Sequence, residues 1–311
     1  SAKTSALLSG EELTSIRTLI ALAVKVRKET TRVRERFPEL AKIGRQFREF
    51  GEELEALSVL DEDGRLYDHA SQVLREIRAK LETLRGATRK TGQAILSDPA
   101  TSGMLQDRVL SLRNGRFVVL VRSEHASAYP GVVTDRSSSG NSFYVEPYQL
   151  AALNNKLAVA LEEERQEELR ILRKITLRIL GRETAIKEAE LALGSLDLLG
   201  AAAEMVERHR WHLPELAESP VFRFSRLTHP LLGEKAVPIE IACGRDFRIL
   251  VVTGPNTGGK TVALKTAGVA VLLAWLGFPV PAGEGSVVVD IDSVFVDVGD
   301  EQSIEQNLST F

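Results

Sequence analysis

Cysteine is almost missing from this chain of 311 residues, with Cys243 standing alone. No internal disulfide can form, and a reducing cytoplasmic setting is the default. Aromatic residues make up only 5%, which suits long solvated helices better than an all-β sandwich. No sign of charge dominates: 40 Lys and Arg stand against 43 Asp and Glu, a formal net charge of −3. An overall basic excess of the kind that announces a nucleic-acid partner is therefore excluded. No apolar run is long enough to span a bilayer and no N-terminal signal pattern is present, so no membrane partner is expected. Proline is absent between Pro38 and Pro99 and again between Pro147 and Pro214. Each gap leaves room for long helices, since an interior proline costs about 3 kcal/mol. Low-complexity tracts and repeats are lacking too, and a 43% hydrophobic composition rules out a disordered chain.

What is present is unevenly laid out. Residues 1–90 carry a net charge of +3 and residues 216–311 a net charge of −4. Ser9-Gly10-Glu11-Glu12 fits a capping box, and Ile16, Leu19, Ala23 and Val26 follow at helical spacing, predicting a helix over 10–36. A polar–apolar stretch from Leu40 to Leu57 ends near a turn at Asp61-Glu62-Asp63-Gly64, and a further helix is expected from about Asp68 to Gly92. The period then changes to two. Val109–Arg113 and Arg116–Val121 flank Asn114-Gly115, a type I′ hairpin signal, and a second hairpin joins Gly131–Thr134 to Ser142–Val145. From Tyr148 the helical pattern returns. Its segment 162–168 is polar on every side, which predicts a solvated, projecting arm of roughly 45 Å over 149–180. Residues 214–220 look like a domain joint. The expected domains are a helical core (1–108), a small antiparallel β element (109–147), a long-helix arm and return (148–215) and the start of an α/β P-loop domain (216–311).

The sharpest motif is Gly254-Pro255-Asn256-Thr257-Gly258-Gly259-Lys260-Thr261, a full match to G-x-x-x-x-G-K-[ST]. Arg248–Val252 before it suits a buried parallel strand, and Val262, Leu264, Ala267 and Val271 after it run on as a helix. Glycines let such a loop curl so that backbone N–H groups and a helix N-terminus face phosphates. Lys260 would then sit on the β- and γ-phosphates of ATP, and the Thr261 hydroxyl would ligate Mg²⁺. A glycine-rich turn that binds nothing is the competing reading. Val294–Asp297 followed by Asp300-Glu301 could supply a Mg²⁺-binding carboxylate, or could be an edge strand entering an acidic loop.

Lys25, Lys28, Arg32 and Arg36 fall at i, i+3, i+7 and i+11, a basic stripe on one helix face, and Arg78, Arg85 and Arg89 form a weaker one. Such stripes neutralise phosphates without reading bases. A solvated face laced with i,i+4 pairs is the alternative.

Residues 252–261, then Val280-Pro281-Ala282, then 299–311 resemble the MutS family ATPase. Gly140-Asn141-Ser142-Phe143-Tyr144-Val145-Glu146-Pro147, together with Leu153-Asn154-Asn155, is similar to its second bacterial branch, which lacks the mismatch-reading domain and normally ends in an Smr nuclease domain. The resemblance implies an ABC-like ATPase in a homodimeric nucleic-acid clamp using ATP/ADP and Mg²⁺. Its implied targets are branched DNA such as four-way junctions, where it suppresses recombination, and stalled or collided ribosomes with their rRNA. It also implies that Asn256 approaches the γ-phosphate and that Ser309 and Thr310 reach the partner subunit's nucleotide. Asp297 then does not carry Walker B, which this family places beyond Phe311. His229, in Thr228-His229-Pro230, resembles a family strand near the nucleotide, and Ala236-Val237 stands where an adenine-stacking aromatic is often found. The chain is accordingly expected to be a piece cut inside its ATPase domain, hydrolysing ATP poorly by itself. An SMC-like structural tether is the alternative from another class. It is disfavoured because the helices here precede the P-loop.

Overall fold

The computed structural model describes residues 7–138, 140–219, 221–233, 236–244, 246–254 and 259–296. The chain divides into two compact units, 1–193 and 194–311. The division falls at Gly194, so the expected joint at 214–220 lies within the second unit.

In the first unit, helix α1 (Gly10–Arg32) opens on the expected capping box. Ser9 Oγ accepts from the Glu12 N–H at 3.2 Å, and the Glu12 carboxylate accepts from the Ser9 N–H at 2.7 Å. The helix stops at Arg32 rather than at residue 36. Pro38 disfavours helical backbone at Phe37 and instead starts the next helix at its first position. The stretch from Leu40 to Leu57 is broken into α2 (Pro38–Gly44) and α3 (Gly51–Leu57). Between them the chain turns to bury Phe47 and Phe50 completely against Leu13, Ile20 and Leu57. Gly10 meets Gly64, whose φ is +80°, so closely that a Cβ on Gly10 would overlap the Gly64 carbonyl. Gly10→Ala is therefore expected to destabilise this unit by about 1–3 kcal/mol, seen as a lower urea midpoint with an unchanged m-value.

Helix α4 (Gln72–Ser97) begins later than expected, because Asp68–Ala70 forms a single 3₁₀ turn and Ser71 is the N-cap. The four-stranded antiparallel sheet follows: β1 (Leu105–Arg113), β2 (Arg116–Arg122), β3 (Gly131–Arg136) and β4 (Ser142–Pro147), in the order β1-β2-β4-β3. Asn114 and Gly115 have φ of 49° and 75°, as a type I′ turn requires. Helix α5 (Tyr148–Leu180) is one unbroken element of 33 residues, and α6 (Glu183–His209) returns.

The expectation that segment 162–168 is solvated on every side is corrected. The acidic segment of α5 lies against α4, with Glu163 bonded to Lys80 and both Glu164 and Glu168 bonded to Arg78, each at 2.8 Å. Beyond it Ile171, Ile175 and Ile179 enter the core with Leu13, Ile20 and Phe50. Polarity all round a helix records charge but not whether a second helix brings the opposite charge.

The second unit holds β5 (Glu215–Ala217), β6 (Phe222–Leu227), β7 (Ile239–Cys243) and β8 (Val287–Val289), in the order β5-β8-β6-β7. Among the described residues β5 and β8 run parallel, while β6 pairs antiparallel with β7 and β8. Helix α7 (Lys260–Trp275) lays Ala267, Ala270 and Ala274 into a core with Phe224, Leu227 and Val288. Arg248–Val252 is not a strand of this sheet: Ile249 is 80% and Val251 75% exposed. A segment apolar on both faces needs a ladder partner on each side to be buried. Among the described residues none pairs with it. The described residues are thus mixed α/β with two small sheets, and none of their helices is long and apolar enough to cross a membrane.

Candidate nucleotide and nucleic-acid sites

The phosphate-loop candidate is described at its two ends. Gly254 has φ of +145°, a conformation open to glycine alone, and Gly259 has φ of +76° as the residue that caps α7. Gly259, as the N-cap, has no side chain of its own to cap α7, and the positive end of the helix dipole lies at this terminus. Lys260 and Thr261 are the first two helical residues, and Thr261 is exposed. Pro255, Asn256, Thr257 and Gly258 lie outside the described residues, as do Asp297, Asp300, Glu301, Ser309 and Thr310. His229 sits in a local turn in which its Nδ1 accepts from the Leu231 N–H at 3.3 Å. Val237 is 80% exposed.

The basic residues separate into distinct groups. Lys25 and Lys28 are exposed on α1, Arg32 pairs with Glu29 at 3.2 Å, and Arg36 lies past the helix end, over the Phe37 ring. The stripe therefore ends one residue short of the expected set. Arg85 pairs with Glu82 at 2.8 Å, while Arg89 is exposed.

Arg78 does not belong to a phosphate-facing stripe. Its guanidinium donates to Asp68, Glu164 and Glu168 and to the Leu66 carbonyl. Burial would lower its pKa, but the three carboxylates outweigh burial and raise it. An arginine bound to three carboxylates offers no charge to a phosphate.

Two arrangements were not legible in the sequence. The first is a groove of about 510 Å³ between α1 and residues 48–54, where Arg27, Lys28 and Thr31 meet Arg48 and Phe50. Arg27 is held there by Glu49 at 3.0 Å. The turn through α2 joins arginines that are distant in the chain. The second is on the antiparallel sheet, where the Arg113 guanidinium stacks 4.4 Å from the Tyr144 ring and Arg136 lies 5.6 Å from Phe143.

Glu146 and Asn154, from the segments 140–147 and 153–155, join Arg116 and Phe117 in a latch between sheet and helix. Glu146 on β4 accepts from Arg116 Nε and Nη2, both at 2.8 Å, and from Asn154 Nδ2 at 2.9 Å. Asn154, fully buried on α5, also accepts from the Phe117 N–H and donates to the Phe117 carbonyl. Arg116 further reaches Asn155 Oδ1 at 2.7 Å. The Arg116 bond, aided by Asn154 and opposed by burial, holds the Glu146 carboxyl below its ordinary value.

Comparison with known proteins adds to this geometry. Residues 250–311 match MutS domain V. The chain is 40% identical over 253 residues to the endonuclease MutS2 of Geobacillus thermodenitrificans, covering 81% of this chain and 32% of that protein. It is 38% identical over 307 residues to the endonuclease MutS2 of Pelotomaculum thermopropionicum, covering 98% of this chain. It is 36% identical over 315 residues to that of a Geobacillus species, covering all of this chain and 40% of the relative. The chain belongs to the MutS family, in its MutS2 branch. It spans 32–40% of the length of these MutS2 relatives. The MutS domain V match starts at the apolar run 250–252 and takes in both the phosphate-loop candidate and α7.

Proposed function

We propose that this chain is the nucleotide-binding and helical part of a homodimeric clamp that uses ATP to change its grip on branched DNA. The observation that carries the reading is the N-terminus of α7, capped by the left-handed Gly259 and set at Lys260-Thr261 within the MutS domain V match. Backbone N–H groups and the helix dipole favour a polyphosphate there. Lys260 would neutralise its terminal phosphates, and Thr261 would hold Mg²⁺. Arg27, Lys28 and Arg48 share the groove beside α1, and we assign them to the DNA backbone. Hydrolysis and the endonuclease activity named for the relatives would require residues beyond those described. Ser309 and Thr310 are assigned to the nucleotide of the partner subunit. Ribosomal RNA is the second reading, favoured by the arginine–aromatic pairs on the sheet, which suit unstacked bases.

The test measures binding of a fluorescent ATP analogue and of a labelled four-way junction to the 311-residue chain. Nucleotide binding is expected to be weak, to disappear in Lys260→Ala, and to be accompanied by little turnover. Robust turnover abolished by Lys260→Ala would overturn the expectation of a poorly active chain. Junction affinity should fall by at least about tenfold between 50 and 200 mM salt, and further in the pair Lys28→Glu, Arg48→Glu. A flat salt response would remove the phosphate-backbone reading.

A further inference from the structure

Two arginines from the end of α5 and the turn after it reach the segment that leads into α3. Arg178 donates to the Glu52 carbonyl at 3.3 Å, and Arg182, in the turn between α5 and α6, donates from Nη2 to the Glu49 carbonyl at 2.8 Å. Arg48 and Glu49 belong to no helix or strand. Backbone bonds tie Phe47 to Gly44 and Leu54 to Phe50. Among the described residues, the Arg182 bond is the one hydrogen bond made by the backbone of Arg48 and Glu49.

The Arg182 guanidinium gives up a better partner to make this bond. A guanidinium meets a carboxylate best through two parallel N–H bonds. The buried Glu53 lies beside it, yet Glu53 Oε1 stays 3.5 Å from Arg182 Nε. That Nε is buried and has no hydrogen-bond partner. A buried donor left bare calls for a reason, and here the reason is geometric. Nη2 is turned to the Glu49 carbonyl and the guanidinium lies 5.7 Å from the centre of the Phe50 ring, so the fork does not close on Glu53.

We infer that Arg182 is a positioning residue for the groove beside α1: by holding the Glu49 carbonyl it fixes the wall that presents Arg48 to the same groove as Arg27 and Lys28. The Glu49 carboxylate, 3.0 Å from Arg27, is set by the same anchor. Arg48 is loosely engaged, 3.9 Å from Glu188 with both side chains more than half exposed, so a phosphate displaces that contact at little cost. The inference rests on the proposed assignment of this groove to the DNA backbone, and Arg182 acts there without touching a phosphate itself.

Without DNA, tryptic cleavage after Arg48 is expected to be at least about fivefold faster in Arg182→Met, and cleavage after Lys90 on α4 unchanged. Affinity for a labelled four-way junction should fall about three- to tenfold. The slope of log affinity against log salt should become shallower by about one, as when one phosphate contact is lost. Arg182→Lys, which keeps a donor for the carbonyl, should bring both readouts to within about threefold of the parent. Added to the pair Lys28→Glu, Arg48→Glu, Arg182→Met should cost less than about twofold more, because nothing is left for it to position. Urea titration gives the folded fraction for which each affinity is corrected. Unchanged cleavage after Arg48, cleavage raised equally after Lys90, or the same loss of affinity in both backgrounds would overturn the inference and leave the groove assignment standing. A Lys28→Glu, Arg48→Glu pair that binds the junction as the parent does would remove the groove assignment, and the inference with it.

Discussion

Replacing Asn154 with leucine is expected to lower the stability of the first unit by about 3 kcal/mol, measured as a fall in the urea midpoint. The side chain is fully buried and makes three hydrogen bonds, two of them to the backbone of Phe117. Leucine keeps the branched shape but leaves the Phe117 N–H and carbonyl unpaired in a dry site, and the cost of such orphaned groups exceeds the net value of the bonds themselves. Asn154→Asp should be worse still near neutral pH, because it sets a second carboxylate beside Glu146 and removes the donor to it. That variant should recover in mild acid, where one of the two carboxyls takes up a proton. In the parent the sign is the reverse. The Glu146 carboxyl is held below its ordinary value of 4.5. Its contribution is therefore full above that pH and is lost as the pH falls through the lowered value. A leucine variant as stable as the parent, or an aspartate variant weakened further by acid, would refute the account.

Arg78→Met should cost about 2–4 kcal/mol while leaving junction affinity and its salt dependence unchanged. One guanidinium joins Asp68, the Leu66 carbonyl and two glutamates of α5, at distances of 2.6–2.8 Å. Its removal leaves Glu164 and Glu168 facing each other across one turn with no counter-charge. Arg78→Lys should recover only part of the loss, because an ammonium cannot present the planar fork that reaches several acceptors at once. A parallel fall in junction affinity, beyond what unfolding explains, would return Arg78 to the set of phosphate contacts.

Elements whose signals are local were legible in the chain. The capping box at Ser9, the Asn114-Gly115 turn and the unbroken helix from Tyr148 each depend on a few neighbouring residues, and each stands where expected. The glycine-lysine-threonine motif likewise leads directly into its helix. What was not legible depends on partners distant in sequence. Arg78 looked like one member of a basic stripe because two of the three carboxylates that bind it lie on another helix, roughly ninety residues away. The groove of Arg27, Lys28 and Arg48 was missed for the same reason, since it exists only once the chain has turned through α2. Arg248–Val252 failed in the opposite sense. Its composition is that of a central strand, but strand character is conferred by neighbours, and none of the described residues supplies them.

The latch at Asn154 has a mechanical consequence. An asparagine amide that bonds both backbone groups of Phe117 behaves like a neighbouring strand, so the sheet cannot tilt without carrying the start of α5 with it. The same helix is continuous to Ile179, which is packed in the core about 38 Å away at 1.5 Å per residue. Sheet, helix and core anchor therefore behave as a stiff rod gripped at both ends. Drag on the hairpins is delivered as torque at Ile171, Ile175 and Ile179, and a small rotation there sweeps the sheet through a much larger arc.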